Sequence, residues 1–325
     1  MWYDLNASPL IEENRQVGRP RTLFSLFIVF FVLTLVTDLA VNLPMTVFLM
    51  FRIAGDFSEL FTIFTNNDIA AMEAYILNIS AENGYLFASL LSTAAGIAVI
   101  LFFALKMEKR TPFSLGFTKK NAVPLYAVGF ALGIALLAAS IGIATLNGSV
   151  SLAPAGEVSV IWILLFLLGF VVQGAFEETL LRGVFFPSLL RHFSSPLIPC
   201  IVSAAFFSAM HGANPGVSPI AFLNIFLFGA LLSVLMLRTG SIIPCLALHS
   251  AWNFAEGCIF GSAVSGLPAL PSILVSTLDP NKSLTSGGSF GPEGGVAVTL
   301  VLVAALAAVI LIGGKKKPIV ETHEE

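Results

Sequence analysis

The chain has 325 residues, 57% of them hydrophobic and only 11% charged, with a net charge of -3 and a mean hydropathy of +0.92. A soluble domain carries about 25% charged residues, so this composition excludes an ordinary water-soluble globule. No basic stripe and no aromatic-basic interleaving is present, which excludes a nucleic-acid partner. The expectation is an all-α, polytopic integral membrane protein.

A spanning helix needs about 20 mainly apolar residues. Residues 1–21 are polar and lack the pattern of a cleaved signal peptide. They read as a cytoplasmic N-terminal segment, with the first apolar run as signal anchor. Eight candidate spans follow, at roughly 22–43, 85–105, 122–145, 159–181, 196–211, 218–237, 241–260 and 296–313. Pro44 is expected to end the first, and the fourth to extend toward Leu190. The loop 55–84 mixes Asp56, Glu59, Asp68, Glu73 and Glu82 with Phe57, Leu60, Phe61 and Phe64. That mixture predicts an amphipathic helix on the outer surface. Asp38 and Asn42, near the outer end of the first span, read as interfacial. Residues 22–150 read as accessory helices, 151–260 as the functional core, and 261–295 as a flexible Gly/Ser/Pro-rich outer loop. Residues 296–325 read as the last span with a cytoplasmic basic tail. No internal repeat appears, which weakens a transporter reading. No GxxxG-like spacing makes a convincing case for a helix dimer. Cys200, Cys245 and Cys258 lack metal or disulfide spacing and read as packing residues.

Lys and Arg placement sets orientation. With the N-terminus in the cytoplasm, 13 of the 16 basic residues fall inside, among them Arg19, Arg21, Lys109, Arg110, Arg191, Arg238 and Lys315–Lys317. Arg52 and Lys282 fall outside, and Arg182 falls within the membrane.

Six polar residues stand in these apolar spans: Glu177, Glu178, Arg182, His211, His249 and Asn253. Ionisable groups are costly in hydrocarbon, so each marks a candidate functional position. Glu178 and Arg182, four apart, share a helix face, whereas Glu177 points about 100° away. From Arg191 back to Glu177 is about 21 Å, and from Ser195 forward to His211 about 24 Å, at 1.5 Å per residue. His249 and Asn253 lie one turn apart, about 12 and 18 Å from Ser241. One polar cavity between antiparallel helices is therefore expected. A carboxylate beside a His can activate water, and a second His with an amide can stabilise an oxyanion. The same Glu177, His211 and His249 could instead ligate zinc. The plainer readings are an ion-pair lock for Glu178 and Arg182, a helix cap for His211, and an interhelical hydrogen-bond pair for His249 and Asn253. Glu256, seven residues after His249, reads only as the outer end of its helix.

Glu177-Glu178-Thr-Leu-Leu-Arg182, Phe207-Ser-Ala-Met-His211 and His249-Ser-Ala-Trp-Asn253 resemble the three motifs of the CPBP intramembrane proteases. This family of CaaX proteases and bacteriocin-processing enzymes, also called Abi, includes the type II CaaX prenyl endopeptidases. The resemblance covers about residues 160–260 and implies an eight-helix, membrane-embedded hydrolase. It implies Glu177 as general base acting with His211 on water, and His249 and Asn253 as the oxyanion site. It implies Glu178 and Arg182 as supporting or substrate-positioning residues. The expected cofactor is none, with Zn2+ as the alternative, since His-Glu-x-x-His is absent. Expected partners are the bilayer and a membrane peptide or protein substrate, possibly lipid-modified. The expected location is a bacterial inner membrane, multi-pass, with both termini cytoplasmic. The rival reading is a non-proteolytic immunity or scaffold protein using the same cavity. A coupled transporter is a third.

Overall fold

The computed structural model describes residues 3–19 and 21–312. Lys315, Lys316 and Lys317, on which part of the orientation count rests, lie outside the described residues. The short α1 (Pro9–Gln16) precedes α2 (Leu23–Gly55), the pair α3 (Phe57–Thr65) and α4 (Ile69–Ala81), and α5 (Asn83–Phe102). Then come α6 (Ala122–Leu146), α7 (Val160–Glu178), α8 (Phe186–Leu189), α9 (Leu197–Met210), α10 (Pro219–Thr239) and α11 (Ile243–Phe254). The short α12 (Ser283–Ser286) and α13 (Val296–Leu311) follow. Among the described residues the fold is all-α apart from one antiparallel ribbon, in which β1 (Val150–Pro154) pairs with β2 (Leu274–Leu278).

Among the described residues, five helices are long and apolar enough to cross a membrane: α2, α5, α6, α10, and α7 with its continuation to Leu189. The helices α9 and α13 are apolar but shorter, and α11 gains length only through a π-helical turn, Ala255–Ile259. Helix length alone therefore does not fix the number of spans at eight. One boundary is corrected: Pro44 lies inside α2, which runs on to Gly55. Proline is tolerated in membrane helices because neighbouring groups satisfy the carbonyl it frees. The fourth span does extend, through the π-helical turn Thr179–Phe185 and α8.

The two ends of the bundle differ in charge. At one end α1 docks by Asn14, whose side-chain amide donates to the carbonyls of Leu10 and Ser114. Arg110 donates to Asn14 (2.8 Å) and to Ser188 (2.5 Å). Burial pushes the Arg110 guanidinium down to about 10, which leaves it charged at neutral pH. Arg238 donates to the carbonyls of Tyr3, Val309 and Ile310, tying α13 to the N-terminal segment. At the other end Arg52 pairs with Asp56 and Glu82, beside the exposed faces of α3 and α4.

Two close approaches place the motif helices. A Cβ on Gly133 of α6 would lie 2.4 Å from the Leu248 carbonyl oxygen, and one on Gly129 would lie 2.4 Å from that of Pro244. A Cβ on Gly174 of α7 would lie 2.6 Å from the Ser250 hydroxyl. Helix α11 is thus clasped between α6 and α7. The Gly129-x-x-x-Gly133 spacing serves packing within the chain, the small-residue interface that membrane helices favour. Cys200, Cys245 and Cys258 are all buried.

Candidate functional site

All six candidate polar residues converge between α7, α9 and α11. Glu177 and Glu178 end the regular part of α7, and the π-helical turn that begins at Thr179 carries Arg182. Such turns concentrate at functional sites because they re-aim side chains. His211 caps α9, and α11 supplies His249 and Asn253.

Glu178, Arg182 and His249 form the inner layer. Glu178 and Arg182 side chains are 0% exposed and pair at 3.0 Å. Arg182 also donates to the Gly229 carbonyl at 2.9 Å and lies 4.5 Å from the Phe207 ring centroid. That carbonyl and that ring hold the guanidinium in place, a cation–π contact that gains strength where water is excluded. The His249 Nδ1 lies 2.8 Å from Glu178 Oε1 and donates to it. The Phe207 and Phe228 rings pack edge-on against His249. The phenylalanine of the second motif is therefore a wall shared by Arg182, His211 and His249.

Glu177 is the outer layer and lines the cavity between the helices. Its Oε1 accepts a hydrogen bond from the Gln173 amide. Its Oε2 is buried without a hydrogen-bond partner, 3.8 Å from His211 Nε2 and 3.8 Å from His249 Nε2. The His211 Nδ1 lies 2.8 Å from the Phe207 carbonyl oxygen. A carbonyl only accepts, so Nδ1 carries the proton and a neutral ring turns the Nε2 lone pair toward Glu177. The Asn253 amide nitrogen donates to Gln173 Oε1 at 3.0 Å.

These groups line a cavity of about 260 Å³ whose other walls are mostly apolar, with Phe170, Phe176, Phe228, Leu267 and Leu302 among them, and which Asn214, Asn224, Ser265 and Glu293 also reach. Leu90 of α5 also lines it, so a helix read as accessory helps to shape the site. Residues 261–295, expected as a flexible outer loop, contribute Val264, Ser265, Leu267 and Glu293 to one side of it. Glu293 accepts hydrogen bonds from Trp252 Nε1 (2.9 Å) and from the Ser265 hydroxyl. Asn224 of α10 donates to the carbonyls of Glu293 and Gly295. Asn214 donates to the Ser265 carbonyl. Glu256, expected only to mark a helix end, is fully buried with neither carboxylate oxygen hydrogen-bonded.

Zinc ligands at 2.0–2.2 Å in a tetrahedral site lie about 3.4 Å from one another, closer than the 3.8 Å separating Glu177 Oε2 from each imidazole nitrogen. Among the described residues, no group of three or more His, Cys, Asp and Glu side chains is arranged to hold a metal ion.

Sequence reasoning missed Gln173, Asn224 and Glu293. A signal for Gln173 was available, since it is a lone polar residue one helical turn before Glu177. Glu293 gives none, because it stands in a Gly-rich loop distant in sequence from every motif.

Residues 159–255 match the family model described as Type II CAAX prenyl endopeptidase Rce1-like. The matched segment contains all three motifs and every residue of the layers around Glu177 and Glu178. It bears out the resemblance to CaaX-type membrane proteases for that part of the chain. No curated protein and no solved structure matches the chain.

Proposed function

We propose that this protein is an intramembrane endopeptidase that hydrolyses a peptide bond of a membrane-associated peptide or protein. The observation that carries this reading is the unpartnered Glu177 Oε2, buried and facing two imidazole nitrogens at 3.8 Å. A water between Glu177 and His211 can give one proton to each acceptor, which aims its own lone pair at a substrate carbonyl. Glu177 takes the proton as the water attacks, and later passes it to the leaving amine. The oxyanion is met by the second N–H of Asn253, which keeps one donor free beside its bond to Gln173. His249 joins it as a donor at Nε2 when the ring is protonated, since Nδ1 is committed to Glu178.

No metal enters this mechanism. The apolar cavity walls suit a hydrophobic or lipid-bearing substrate, and the family description names prenyl endopeptidases. We further propose that the end carrying Arg21, Arg110, Arg191 and Arg238 faces the cytoplasm of a bacterial inner membrane.

The test is a terminus-labelling proteomics comparison between host cells making the wild-type chain and cells making Glu177→Ala at equal membrane levels. New termini in membrane proteins found only with wild type are expected. Matching profiles, where deletion of the gene has a phenotype that Glu177→Ala rescues, would replace hydrolysis by a binding role such as immunity.

A further inference from the structure

We infer that Gln173 is a positioning residue that fixes the working orientations of Glu177 and Asn253 together, a role that rests on the hydrolytic reading above. Gln173 lies one turn before Glu177 on α7 and faces Asn253 on α11. Its amide nitrogen donates to Glu177 Oε1, and its carbonyl oxygen accepts from Asn253 Nδ2 at 3.0 Å. The direction of this chain follows from chemistry. An ionised carboxylate can only accept, so the nitrogen end of Gln173 must face Glu177 and its oxygen must face Asn253. Asn253 is then compelled to turn its own nitrogen end toward Gln173.

Each end of the bridge has a consequence. At Glu177 it occupies Oε1 and leaves Oε2 as the only oxygen free to accept from water, 3.8 Å from each imidazole. At Asn253 it decides which end of a symmetric-looking amide meets the cavity. With Nδ2 held toward Gln173, the second N–H remains available to a developing oxyanion. Without that acceptor the amide can rotate and present its oxygen, which would repel negative charge. Gln173 touches no reacting atom in this scheme, and it acts through its two neighbours. The neighbouring Gly174 supports the geometry, because only a residue without Cβ lets α7 approach Ser250 so closely.

The experiment starts with the terminus comparison extended to Gln173→Leu. A peptide spanning a Glu177-dependent cleavage site is then hydrolysed by the purified proteins in detergent. Gln173→Leu is expected to lower kcat by about 10- to 100-fold, the scale of a misplaced catalytic group, with KM and melting temperature little changed. Gln173→Leu added to Asn253→Ala should cost less than its effect alone, because the part that acts through Asn253 is already lost. An additive double variant, or a Gln173→Leu protein with wild-type kcat, overturns the positioning role while Glu177-dependent cleavage stands. Absence of any Glu177-dependent terminus removes the hydrolytic reading and this role with it. A fall in kcat that merely tracks loss of melting temperature assigns Gln173 to packing and also overturns the inference.

Discussion

Glu178 Oε1 lies 2.8 Å from His249 Nδ1 across the α7–α11 contact, and the same oxygen accepts from Arg182 at 3.0 Å. One carboxylate oxygen thus sets the tautomer of a histidine on another helix and neutralises an arginine on its own. Glu177, the adjacent residue, has no arginine beside it and lines the cavity, with Oε2 3.8 Å from each of two imidazole nitrogens. Two neighbouring carboxylates therefore have different jobs, and the same substitution should have opposite consequences. Glu178→Gln leaves Arg182 buried without its counter-charge, at a cost of about 3–5 kcal/mol, and should lower the melting temperature of the solubilised protein. Glu177→Gln should abolish hydrolysis with the melting temperature held or raised. Thermal unfolding beside peptide cleavage checks both, and equal destabilisation by the two would contradict the division.

Arg182 offers the complementary test. Arg182→Met strands the Glu178 carboxylate in a dry site, and breaking one side of a buried pair costs about 3–5 kcal/mol. Removing the carboxylate too, with Glu178→Leu, should recover much of that stability, because an apolar pair of similar volume is often tolerated. Activity should not return, since His249 then has no partner at Nδ1. Recovery of both would show that catalysis needs neither charge and that His249 works without a partner at Nδ1.

Gly133→Val should disable the site from a distance. The added Cβ would sit 2.4 Å from the Leu248 carbonyl oxygen and 3.0 Å from the Trp252 amide nitrogen. Backbone cannot give way as a flexible side chain can, so α11 must shift and carry His249 and Asn253 with it. A shift of 1 Å can cost about 100-fold in rate. The expected result is a membrane-inserted protein with kcat reduced on that scale. Normal kinetics would show that α6 and α11 separate without cost.

Chelators give a separate check on the choice of mechanism. Hydrolysis is expected to persist in 1,10-phenanthroline and EDTA and to gain nothing from added zinc. Activity lost to a chelator and restored by zinc would bring back Glu177, His211 and His249 as a ligand set.

What the sequence made legible follows from the physics of the bilayer. Glu177, Glu178, Arg182, His211, His249 and Asn253 stood out because hydrocarbon is costly for such groups. Counting helical rise placed Glu177 and His211 at one depth, and the structure puts their side chains 3.8 Å apart. The long apolar runs gave the helices, but Pro44 misled, because a rule learned in water ends a helix that a membrane lets continue. The Gly129-x-x-x-Gly133 pair was invisible as a determinant of the site, since only the fold says which helix it meets. The loop 261–295 was illegible for another reason. Its path depends on pairings with distant residues, such as Asn224 with Glu293 and β1 with β2, and composition carries no trace of such pairings.

That loop supplies the remaining prediction. Trp252 is 1% exposed, and its indole N–H reaches Glu293 at 2.9 Å while Ser265 satisfies the other carboxylate oxygen. The third motif thus carries, between His249 and Asn253, the residue that fastens the outer wall of the cavity. Trp252→Phe keeps most of the apolar volume and removes only the donor. A part-buried carboxylate that loses a hydrogen bond costs about 1–3 kcal/mol, and the cost should fall on the loop segments around Ser265 and Glu293 that this carboxylate joins. Hydrogen exchange at 261–267 and 288–293 should quicken, with the helices unchanged. The wall shapes the space for substrate and holds none of the proposed reacting groups, so KM should rise more than kcat falls. Glu293→Gln can keep the acceptor for Trp252 and should be milder on both measures. If Trp252→Phe instead lowers kcat with exchange in the loop unaltered, the indole acts on the His249–Asn253 turn of α11, and the loop is not its point of action.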